Sequence, residues 1–363
     1  MYHLYVLRND CHRAHAINVP RRIIRKVGLA FLASLCLFSL YVTVILEWGD
    51  DVSWIPHRHR HLSNNSFWIP LADGNTVFYT NFKFMPFMPK YLINNPNICQ
   101  NIESLFILVI FHSAAFHFDQ RKFLRQTWAN KDLLRSHTMR VLFLVGLPRE
   151  YSIQERLQKE NDQHGDIVQG DFIDDYHNLT HKGVMGFKWI IENCNNAKYV
   201  IKIDDDVFVN VFYLIEIVLP VVEKHPRHIF CYTRENNTVA RNGRHAVDKH
   251  YFPGVRRLPF PFCAGPFVLI PNALVVKLYA ASLRTPFIWL EDVYLFGILP
   301  LVTGNVSLFH LPNCHEDPNN ALECFSSKAK CNILAAFAWD GKTMFSLWNY
   351  NLRQYNERLW RYV

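Results

Sequence analysis

Three consecutive aspartates are the strongest candidates for chemistry in this sequence. Residues 198–210 read KYVIKIDDDVFVN, so an apolar stretch of strand type ends directly at Asp204, Asp205 and Asp206. Burying three adjacent carboxylates without partners would cost many kcal/mol, so they must face solvent or a cation at the end of the strand. Oxygen ligands at this density suit Mn2+ or Mg2+, which keep several waters and bridge to substrate phosphates. We predict a metal site here, with a solvated acidic turn as the alternative.

A second pair of carboxylates, Glu291 and Asp292, follows Trp289 and begins a stretch of helical character. Carboxylates at a helix start interact favourably with the helix dipole, so capping the helix is the simplest role for them. A carboxylate near a metal-bound diphosphate is also what a displacement at a sugar carbon needs as general base toward an attacking hydroxyl. The residues alone leave both roles open.

The segments that must position these carboxylates alternate between strand and helix. Apolar runs of strand length occupy 105–111, 141–147, 166–172 and 199–203, and helix-length stretches lie around 121–135, 151–162, 178–193 and 211–224. This alternation predicts an α/β domain with a mainly parallel sheet and with ligands at the carboxyl ends of its strands. No GxGxxG follows the first strand and no P-loop motif occurs, which argues against dinucleotide enzymes and P-loop NTPases.

Composition and charge exclude several other classes. Of the 363 residues, 50% are hydrophobic and only 19% are charged, which excludes a disordered, coiled-coil or collagen-like chain. Residues 1–26 carry six basic residues and one aspartate, or +5, so the rest of the chain contributes only +3 of the net charge of +8. A nucleic-acid-binding domain should instead carry its basic residues on the folded part, so no nucleic-acid partner is expected.

An uncharged stretch near the amino terminus predicts a membrane anchor. Residues 27–46 read VGLAFLASLCLFSLYVTVIL, and twenty residues at helical rise match the roughly 30 Å hydrocarbon core of a bilayer. Four basic residues precede this stretch within 21–26 and three acidic residues follow within 47–51. The positive-inside rule therefore predicts a cytosolic tail at 1–26 and a single-pass type II topology. A cleaved signal peptide is the alternative, but its apolar region is usually shorter and followed by small residues.

The part beyond the membrane is expected to contain a stem and one catalytic domain. Residues 47–100 are rich in His, Asn and Pro without a sustained period and are assigned to a lumenal stem, and 101–363 to the catalytic domain. Seven of the nine cysteines lie on this side, so disulfides are allowed and at least one cysteine stays free or pairs with another chain. Four N-glycosylation triplets also lie there, beginning at Asn64, Asn178, Asn236 and Asn305.

Five short blocks follow one another in a fixed order through the predicted catalytic domain. They read RKFLRQTW at 121–128, GDIVQGDFIDDYHNLT at 165–180, KIDDDVFVN at 202–210, FCAGPFVL at 262–269 and EDVY at 291–294. In content, order and spacing they resemble the Golgi β-1,3-glycosyltransferases, which include β-1,3-galactosyltransferases, β-1,3-N-acetylglucosaminyltransferases and, more distantly, the fringe enzymes. The resemblance covers about residues 100–350.

This resemblance implies a GT-A nucleotide-sugar transferase fold behind the membrane helix, in the Golgi lumen. It implies transfer of galactose or an N-acetylhexosamine from a UDP-sugar to the 3-hydroxyl of a glycan on a glycoprotein or glycolipid, with inversion. Asp292 would be the base, and Asp204 and Asp206 would hold Mn2+ or Mg2+. The nucleotide-sugar would lie near Arg121, Arg125, Asp171, Lys202, Asp204, Asp205 and Asp206, and the acceptor or transferred sugar near Gly265, Trp289 and Glu291.

Simpler roles compete with several of these assignments. Arg121 and Arg125 lie four residues apart on a predicted helix and could pair with acids, and Trp128 is more easily explained as core packing. Lys202 points inward from a strand, and a buried ammonium without a partner would be costly.

One position departs from the family pattern. The carboxy-terminal His that serves as a metal ligand in the family falls at about Phe337, and no His follows His315. The metal shell would then be thinner, or His310 or His315 would substitute, or metal dependence would be reduced. This departure motivates an alternative function as an inactive relative that acts as a lectin or as the partner of an active transferase. A metal-dependent lumenal hydrolase is the third alternative.

Overall fold

The computed structural model describes residues 66–70, 76–80, 89–100, 102, 105–130 and 139–359. The tail 1–26, the segment 27–46, Asn64 and much of the stem lie outside the described residues. Within those ranges, no helix is both long enough and apolar enough to cross a membrane. The membrane anchor, the stem and Asn64 as a glycosylation site therefore stay predictions.

The described residues form an α/β fold. The strands are β1 (Ser66–Pro70), β2 (Thr76–Thr80), β3 (Tyr91–Ile93), β4 (Leu105–His112), β5 (Met139–Leu147), β6 (Ile167–Ile173), β7 (Ala197–Asp204), β8 (Val207–Val209), β9 (His228–Arg234), β10 (Phe262–Pro271), β11 (Ser307–His310) and β12 (Ala335–Phe337). The helices are α1 (Phe118–Gln126), α2 (Tyr151–His164), α3 (Leu179–Asn193), α4 (211–224), α5 (Asn272–Ser282), α6 (291–303), α7 (Pro318–Ser326) and α8 (Gly341–Leu359).

Two of these helices contain a π-helical turn. The turn is Leu214–Val218 in α4 and Tyr294–Ile298 in α6, and a proline, Pro220 or Pro300, follows each of them closely. Proline has no backbone N–H and cannot donate a hydrogen bond to the carbonyl four residues earlier. The wider π-helical turn before it accommodates this missing hydrogen bond.

A mixed eight-stranded sheet with the order β11-β9-β10-β7-β4-β5-β6-β3 forms the centre. The four central strands β7, β4, β5 and β6 are parallel, as predicted, while β10 runs antiparallel to both β7 and β9. Since β9 and β7 both oppose β10, they point the same way. The carboxyl ends of β4, β5, β6, β7 and β9 therefore lie along one edge of the sheet, and this edge holds the site.

The sheet is buried on both faces, which explains the almost continuous apolar sequence of its central strands. Along β4, Leu108 and Ile110 pack into one hydrophobic cluster with α3, α5 and α6. The alternate residues Ile107, Val109 and Phe111 pack into the other, with α1, α4, α7 and α8. This alternation of side chains places helices on both sides of the strands that position the aspartates.

The boundaries of one predicted helix are wrong. The stretch expected to be helical around 121–135 forms α1, which begins at Phe118 and ends at Gln126. The chain turns at 127–129 because Trp128 is drawn into the core, where it is fully buried and its indole N–H donates to the carbonyl of Val207 at 3.1 Å. The expectation that Trp128 packs in the core is thus confirmed.

Three disulfides join six of the seven cysteines among the described residues. They link Cys99 to Cys194, Cys231 to Cys263, and Cys324 to Cys331. Cys314 is buried and unpaired, and its thiol donates to the carbonyl of Leu311. The odd count predicted such a thiol, and Cys324–Cys331 closes a short local loop, with a sequence separation of 7.

Candidate active site

The three aspartates lie at the carboxyl end of β7 and differ in their surroundings. Asp204 is 37% exposed, Asp206 is half-buried, and Asp205 is buried. The Asp205 carboxylate accepts a hydrogen bond from Ser113 Oγ at 2.6 Å and lies 2.9 Å from Nδ1 of His117. Burial, together with the charges of Asp204 and Asp205, raises the pKa of Asp206 to about 6. Such mutual repulsion is what a divalent cation between Asp204 and Asp206 would relieve.

Lys202 joins the two acidic motifs. Its Nζ donates to Asp204 Oδ1 and to the carbonyl of Gly265, both at 2.9 Å, and lies 3.3 Å from Glu291 Oε1. Lys202 is only 2% exposed, and burial alone would lower its pKa, but the Asp204 and Glu291 carboxylates raise it above the usual value. Lys202 is therefore a charged group between two carboxylates. These carboxylates are the partners that its inward position required.

Gly265 leaves room for this arrangement. A Cβ atom at this position would lie 3.3 Å from Glu291 Oε2 and 3.5 Å from Lys202 Nζ. The Lys202 ammonium reaches the Gly265 carbonyl because no side chain occupies this space. Gly265 thus supports the ion pairs by close backbone approach.

Glu291 lies farther from Lys202 Nζ than Asp204 does, and it borders a buried histidine. Burial raises the pKa of Glu291 to about 7, against the opposing effect of Lys202. His112 Nδ1 lies 3.7 Å from Glu291 Oε1, too far for a hydrogen bond. Burial and the charges of Lys202 and Lys182 lower the pKa of His112 well below its usual value. His112 is therefore neutral and does not stabilise the Glu291 carboxylate as a cation.

The raised pKa of Glu291 predicts a pH dependence of stability. The folded chain binds this proton more tightly than the unfolded chain, whose glutamate has a pKa near 4.5. The stability that the proton contributes is fully present below about pH 4.5 and is lost as the pH rises to about 7. In thermal melts across this window, we expect the Tm of Glu291→Gln to fall less than that of the wild type. An identical fall in both proteins would contradict this assignment.

Asp292 is the second residue of helix α6, after Glu291. Its Oδ1 accepts the backbone N–H of Val293 at 2.8 Å, and no other hydrogen bond to its carboxylate is present among the described residues. Burial raises its pKa above the usual value, while the Val293 hydrogen bond and the charges of Lys202, His245 and Arg234 oppose this shift. Asp292 thus binds the backbone of the first helical turn with one oxygen and keeps a second oxygen free of hydrogen bonds within the described residues.

Arg121 is buried and fully engaged. Its guanidinium pairs with Glu160 through Nε at 2.9 Å and a terminal nitrogen at 2.7 Å, and its other N–H groups donate to Ser113 Oγ and to the carbonyls of Ala114 and Ala115. Ser113 in turn donates to Asp205. In this arrangement Arg121 has no N–H left for a nucleotide-sugar, and it contacts the aspartates through Ser113.

Arg125 extends the same ion-pair network. It donates to both oxygens of Asp166 at 2.8 Å and to Glu160 at 2.7 Å. Burial alone would raise the pKa of Glu160, but the hydrogen bonds from Arg121 and Arg125 hold it below the usual value. The two arginines therefore pair with acids, which was the simpler of the two roles considered from the sequence.

Removing the Arg121 guanidinium is expected to destabilise the fold. In Arg121→Met, one hydroxyl and two backbone carbonyls lose their hydrogen-bond donor, and Glu160 loses its bidentate partner. The free energy of unfolding should therefore fall by about 3 kcal/mol or more. The exposed neighbour Lys122 provides a control. Lys122→Met should change the free energy of unfolding by less than about 0.5 kcal/mol. Urea unfolding followed by circular dichroism measures both, and equal stability of the two variants would contradict the role given to Arg121.

Asp174 and Lys182 tie the neighbouring strand ends together. Asp174 accepts the backbone N–H groups of Ala115 and Gly146 at 2.8 and 2.9 Å and pairs with Lys182 Nζ at 2.9 Å. Lys182 also donates to the carbonyl of Ser113 at 2.6 Å. These contacts hold the loop after β4, and with it Ser113 beside Asp205.

Three rings form an aromatic platform, which we define as Tyr176, His177 and Trp289. The ring centroid of Trp289 lies 4.3 Å from that of His177 and 6.0 Å from that of Tyr176. Thr180 Oγ1 donates to the carbonyls of Ile288 and Trp289 and so fixes the chain just before Asp292. Aromatic faces beside a base offer a surface on which a sugar ring can pack.

Two histidines considered as substitute metal ligands lie near the end of β9. The His315 ring stacks on Tyr232 and meets the edge of Phe337, both at 5.0 Å, and its Nε2 lies 3.2 Å from Arg234. His310 Nδ1 accepts the N–H of Thr233 instead. Across the residues that the structure describes, no group of three or more His, Cys, Asp or Glu side chains forms a metal-binding cluster. Mg2+-type ions often bind through only one or two carboxylates plus substrate phosphates, so Asp204 and Asp206 as metal ligands stay a prediction.

The remaining predicted residues lie outside this cluster. Asp171 is exposed in β6 and accepts the backbone N–H of Lys90 at 2.9 Å, so its contacts hold the neighbouring edge segment. Asn236 and Asn305 are exposed, whereas the Asn178 side chain donates to the carbonyl of Ile173 at 2.9 Å.

Several residues at the same edge were missed from the sequence. Ser113 and His117 follow β4, and Arg234 ends β9, so the rule that ligands lie at strand carboxyl ends could have found them. Two exposed aromatic side chains, Phe116 and Trp339, are each 61% exposed. Phe116 adjoins His117, and Trp339 follows Ala338, whose N–H donates to the carbonyl of Asp206.

Comparisons with known proteins identify the family of this chain. A family model described as Galactosyltransferase matches residues 119–310, a range that includes Lys202, the three aspartates and Glu291. Beta-1,3-galactosyltransferase 1 of Homo sapiens and that of Mus musculus are each 32% identical over 268 residues, which cover 70% of this chain and 80% of the relative. Beta-1,3-galactosyltransferase 2 of Mus musculus is 34% identical over 211 residues, covering 56% of this chain and 49% of the relative.

Among solved structures, the WbbM bifunctional glycosyltransferase aligns over 72% of this chain and 52% of that chain. Its sequence identity is 10% and the TM-score is 0.35, which is too low to support an argument. The sequence comparisons are sufficient by themselves: the chain belongs to the galactosyltransferase family and is a hexosyltransferase.

Proposed function

We propose that this hexosyltransferase has a GT-A fold and transfers galactose or an N-acetylhexosamine from a UDP-sugar to the 3-hydroxyl of a glycan acceptor, with inversion. We further propose that it is a single-pass type II protein of the Golgi membrane, with its catalytic domain in the lumen. The glycan would belong to a glycoprotein or glycolipid. Support for the chemistry comes from Lys202, which holds the motif of Asp204 and the motif of Glu291 and Asp292 together at one edge of the sheet.

The donor would bind at the carboxyl end of β7. Asp204 and Asp206 are the residues that would hold Mn2+ or Mg2+, and the bound ion would offset the negative charge that develops on the departing diphosphate. Lys202 orients Asp204 through its 2.9 Å hydrogen bond, and Ser113 and His117 hold Asp205. The exposed rings of Phe116 and Trp339 could stack on the uracil base.

The acceptor would bind on the opposite side, on the aromatic platform. The free oxygen of Asp292 takes the proton from the 3-hydroxyl as its oxygen attacks the anomeric carbon, and the bond to the diphosphate breaks on the far face. The attacking oxygen and the leaving group lie on opposite faces of the sugar, so the anomeric configuration inverts. The raised pKa of Asp292 makes it a stronger base than an exposed aspartate.

A donor panel tests this proposal. The full-length protein, purified in detergent, is incubated with Mn2+ and each of a set of UDP-sugars, and UDP release and thermal stabilisation are measured. We expect UDP-galactose or one UDP-N-acetylhexosamine to give both signals, and removal of the metal with a chelator to reduce them. A folded sample that responds to no donor would contradict the proposal and favour the inactive lectin or partner.

A further inference from the structure

A long connection next to the aromatic platform has no role in the mechanism described so far. Residues 235–261 join β9 to β10 without a helix or a strand, apart from one isolated bridge between Thr238 and Arg257. Arg241 donates to the carbonyls of Val247, Asp248 and Phe252 and so ties the segment together from within. Connections of this length in a compact domain are usually functional, and this one is ordered by its own hydrogen bonds.

The same connection is strongly basic. It contains five arginine or lysine residues and two acidic residues, so its net charge is +3. Arg241 is used internally, and Asp248 pairs with His250 at 2.9 Å. Arg244 is exposed and has no carboxylate within ion-pair distance among the described residues. Its charge is therefore available to a ligand.

Arg244 and His245 both contact the platform. The Arg244 guanidinium carbon lies 4.1 Å above the Tyr176 ring, and His245 Nε2 lies 3.0 Å from the Tyr176 hydroxyl. A guanidinium that stacks on a ring with its flat face keeps its N–H edge open, which is the geometry that binds a carboxylate or sulfate with two parallel hydrogen bonds. The platform also orients the charge, because the stacked side chain is held over the Tyr176 ring.

Arg234 and Arg244 have different contacts near the proposed site. Arg234 ends β9 and lies 3.2 Å from His315 Nε2. Arg244 instead contacts Tyr176, which neighbours Trp289, three residues before Asp292. A charge in this place meets the sugar that brings the attacking hydroxyl.

We propose that the acceptor glycan carries an anionic group, a carboxylate or a sulfate ester, which Arg244 and His245 bind while a neighbouring sugar packs on the aromatic platform. This inference rests on the proposed function, because it names the class of acceptor that Asp292 would deprotonate.

Matched pairs of acceptors test this inference. With the full-length protein and its active donor, kcat and KM are measured for a glucuronate-containing and a glucose-containing glycan, and for a sulfated glycan and its desulfated form. The wild type should prefer each anionic member by about tenfold in kcat/KM. Arg244→Gln should lose most of this preference through a higher KM for the anionic acceptor. The control is Arg227→Gln, an exposed arginine at the opposite edge of the sheet, which should keep the preference.

Each other result overturns the inference or separates it from the proposed function. Equal use of both members of each pair by the wild type would overturn it, with transfer itself intact. A higher KM for the UDP-sugar in Arg244→Gln, with unchanged acceptor preference, would show that Arg244 binds the donor diphosphate instead. If no donor is turned over, the proposed function fails separately, and calorimetric titration of the same glycans into wild type and Arg244→Gln decides the anion site by itself.

Discussion

Replacing Asp292 by asparagine is expected to lower kcat of hexosyl transfer by about 10²- to 10⁴-fold, the usual contribution of a general base. The asparagine side chain has nearly the same shape, and its oxygen can still accept the Val293 N–H that Asp292 accepts at 2.8 Å. Helix α6 should therefore begin as before, and the Tm should change little. The loss should appear in kcat more than in the KM for the UDP-sugar, because the carboxylate acts on the acceptor hydroxyl.

The control for this variant is Asp162→Asn. Asp162 lies on helix α2, where it accepts a hydrogen bond from Gln158 on an exposed surface. The same chemical change there should leave transfer within about twofold of the wild type, since surface substitutions away from a site usually have small effects. Activity of Asp292→Asn close to that of Asp162→Asn would remove Asp292 from the catalytic role.

Replacing Lys202 by methionine is expected to cost about 3–5 kcal/mol of unfolding free energy at pH 8, above the Glu291 pKa of about 7, because it leaves the Glu291 carboxylate buried beside Asp204 without their shared cation. Glu291 is 7% exposed and cannot recover this loss by contact with water. Transfer should be lost as well, since Asp204 would no longer be held by its 2.9 Å hydrogen bond to Nζ. Adding Glu291→Gln to Lys202→Met should recover part of the stability by removing one of the unpaired charges.

Lys198→Met on the same strand is the matched control. Lys198 is 48% exposed and pairs with Glu223, which is 63% exposed. A pair this open to solvent contributes little, so the change in unfolding free energy should stay below about 1 kcal/mol. Denaturant titrations of the two single variants and the double variant give the comparison. A Lys202→Met protein as stable as Lys198→Met would show that Lys202 is not the cation that holds the two acidic motifs together.

The sequence predicted the four parallel strands of the sheet because their signal is local. The run LFILVIFH of β4 is apolar on both faces, as a central parallel strand must be, and the observed bounds 105–112 extend the expected 105–111 by one residue. The end of helix α1 was missed because it depends on tertiary packing: Trp128 turns into the core and bonds Val207, a contact between positions far apart in the chain. The spacing of apolar residues within a short stretch of sequence cannot reveal such a contact.

The site was predictable in its residue types but only partly in its contacts. The need for a partner at Lys202 followed from its inward position, yet nothing local identified Glu291, which lies 89 residues further along the chain. The resemblance placed Arg121 near the nucleotide-sugar, whereas the structure gives all its N–H groups to Glu160, Ser113 and two carbonyls. Glu160 lies on another helix, and its pairing with Arg121 is visible only after the fold has brought the two helices together.

The central claim is that the chain moves a hexose from a UDP-sugar to a 3-hydroxyl with inversion, and the structure of the product tests it most directly. The full-length protein is incubated with Mn2+, its active UDP-sugar and a glycan acceptor, and the purified product is analysed by proton and carbon NMR. Because the donor sugar is α-linked to UDP, the account predicts one new β-linked residue attached at position 3 of the acceptor sugar. An α-linked residue, attachment at another hydroxyl, or free hexose as the sole product would contradict it.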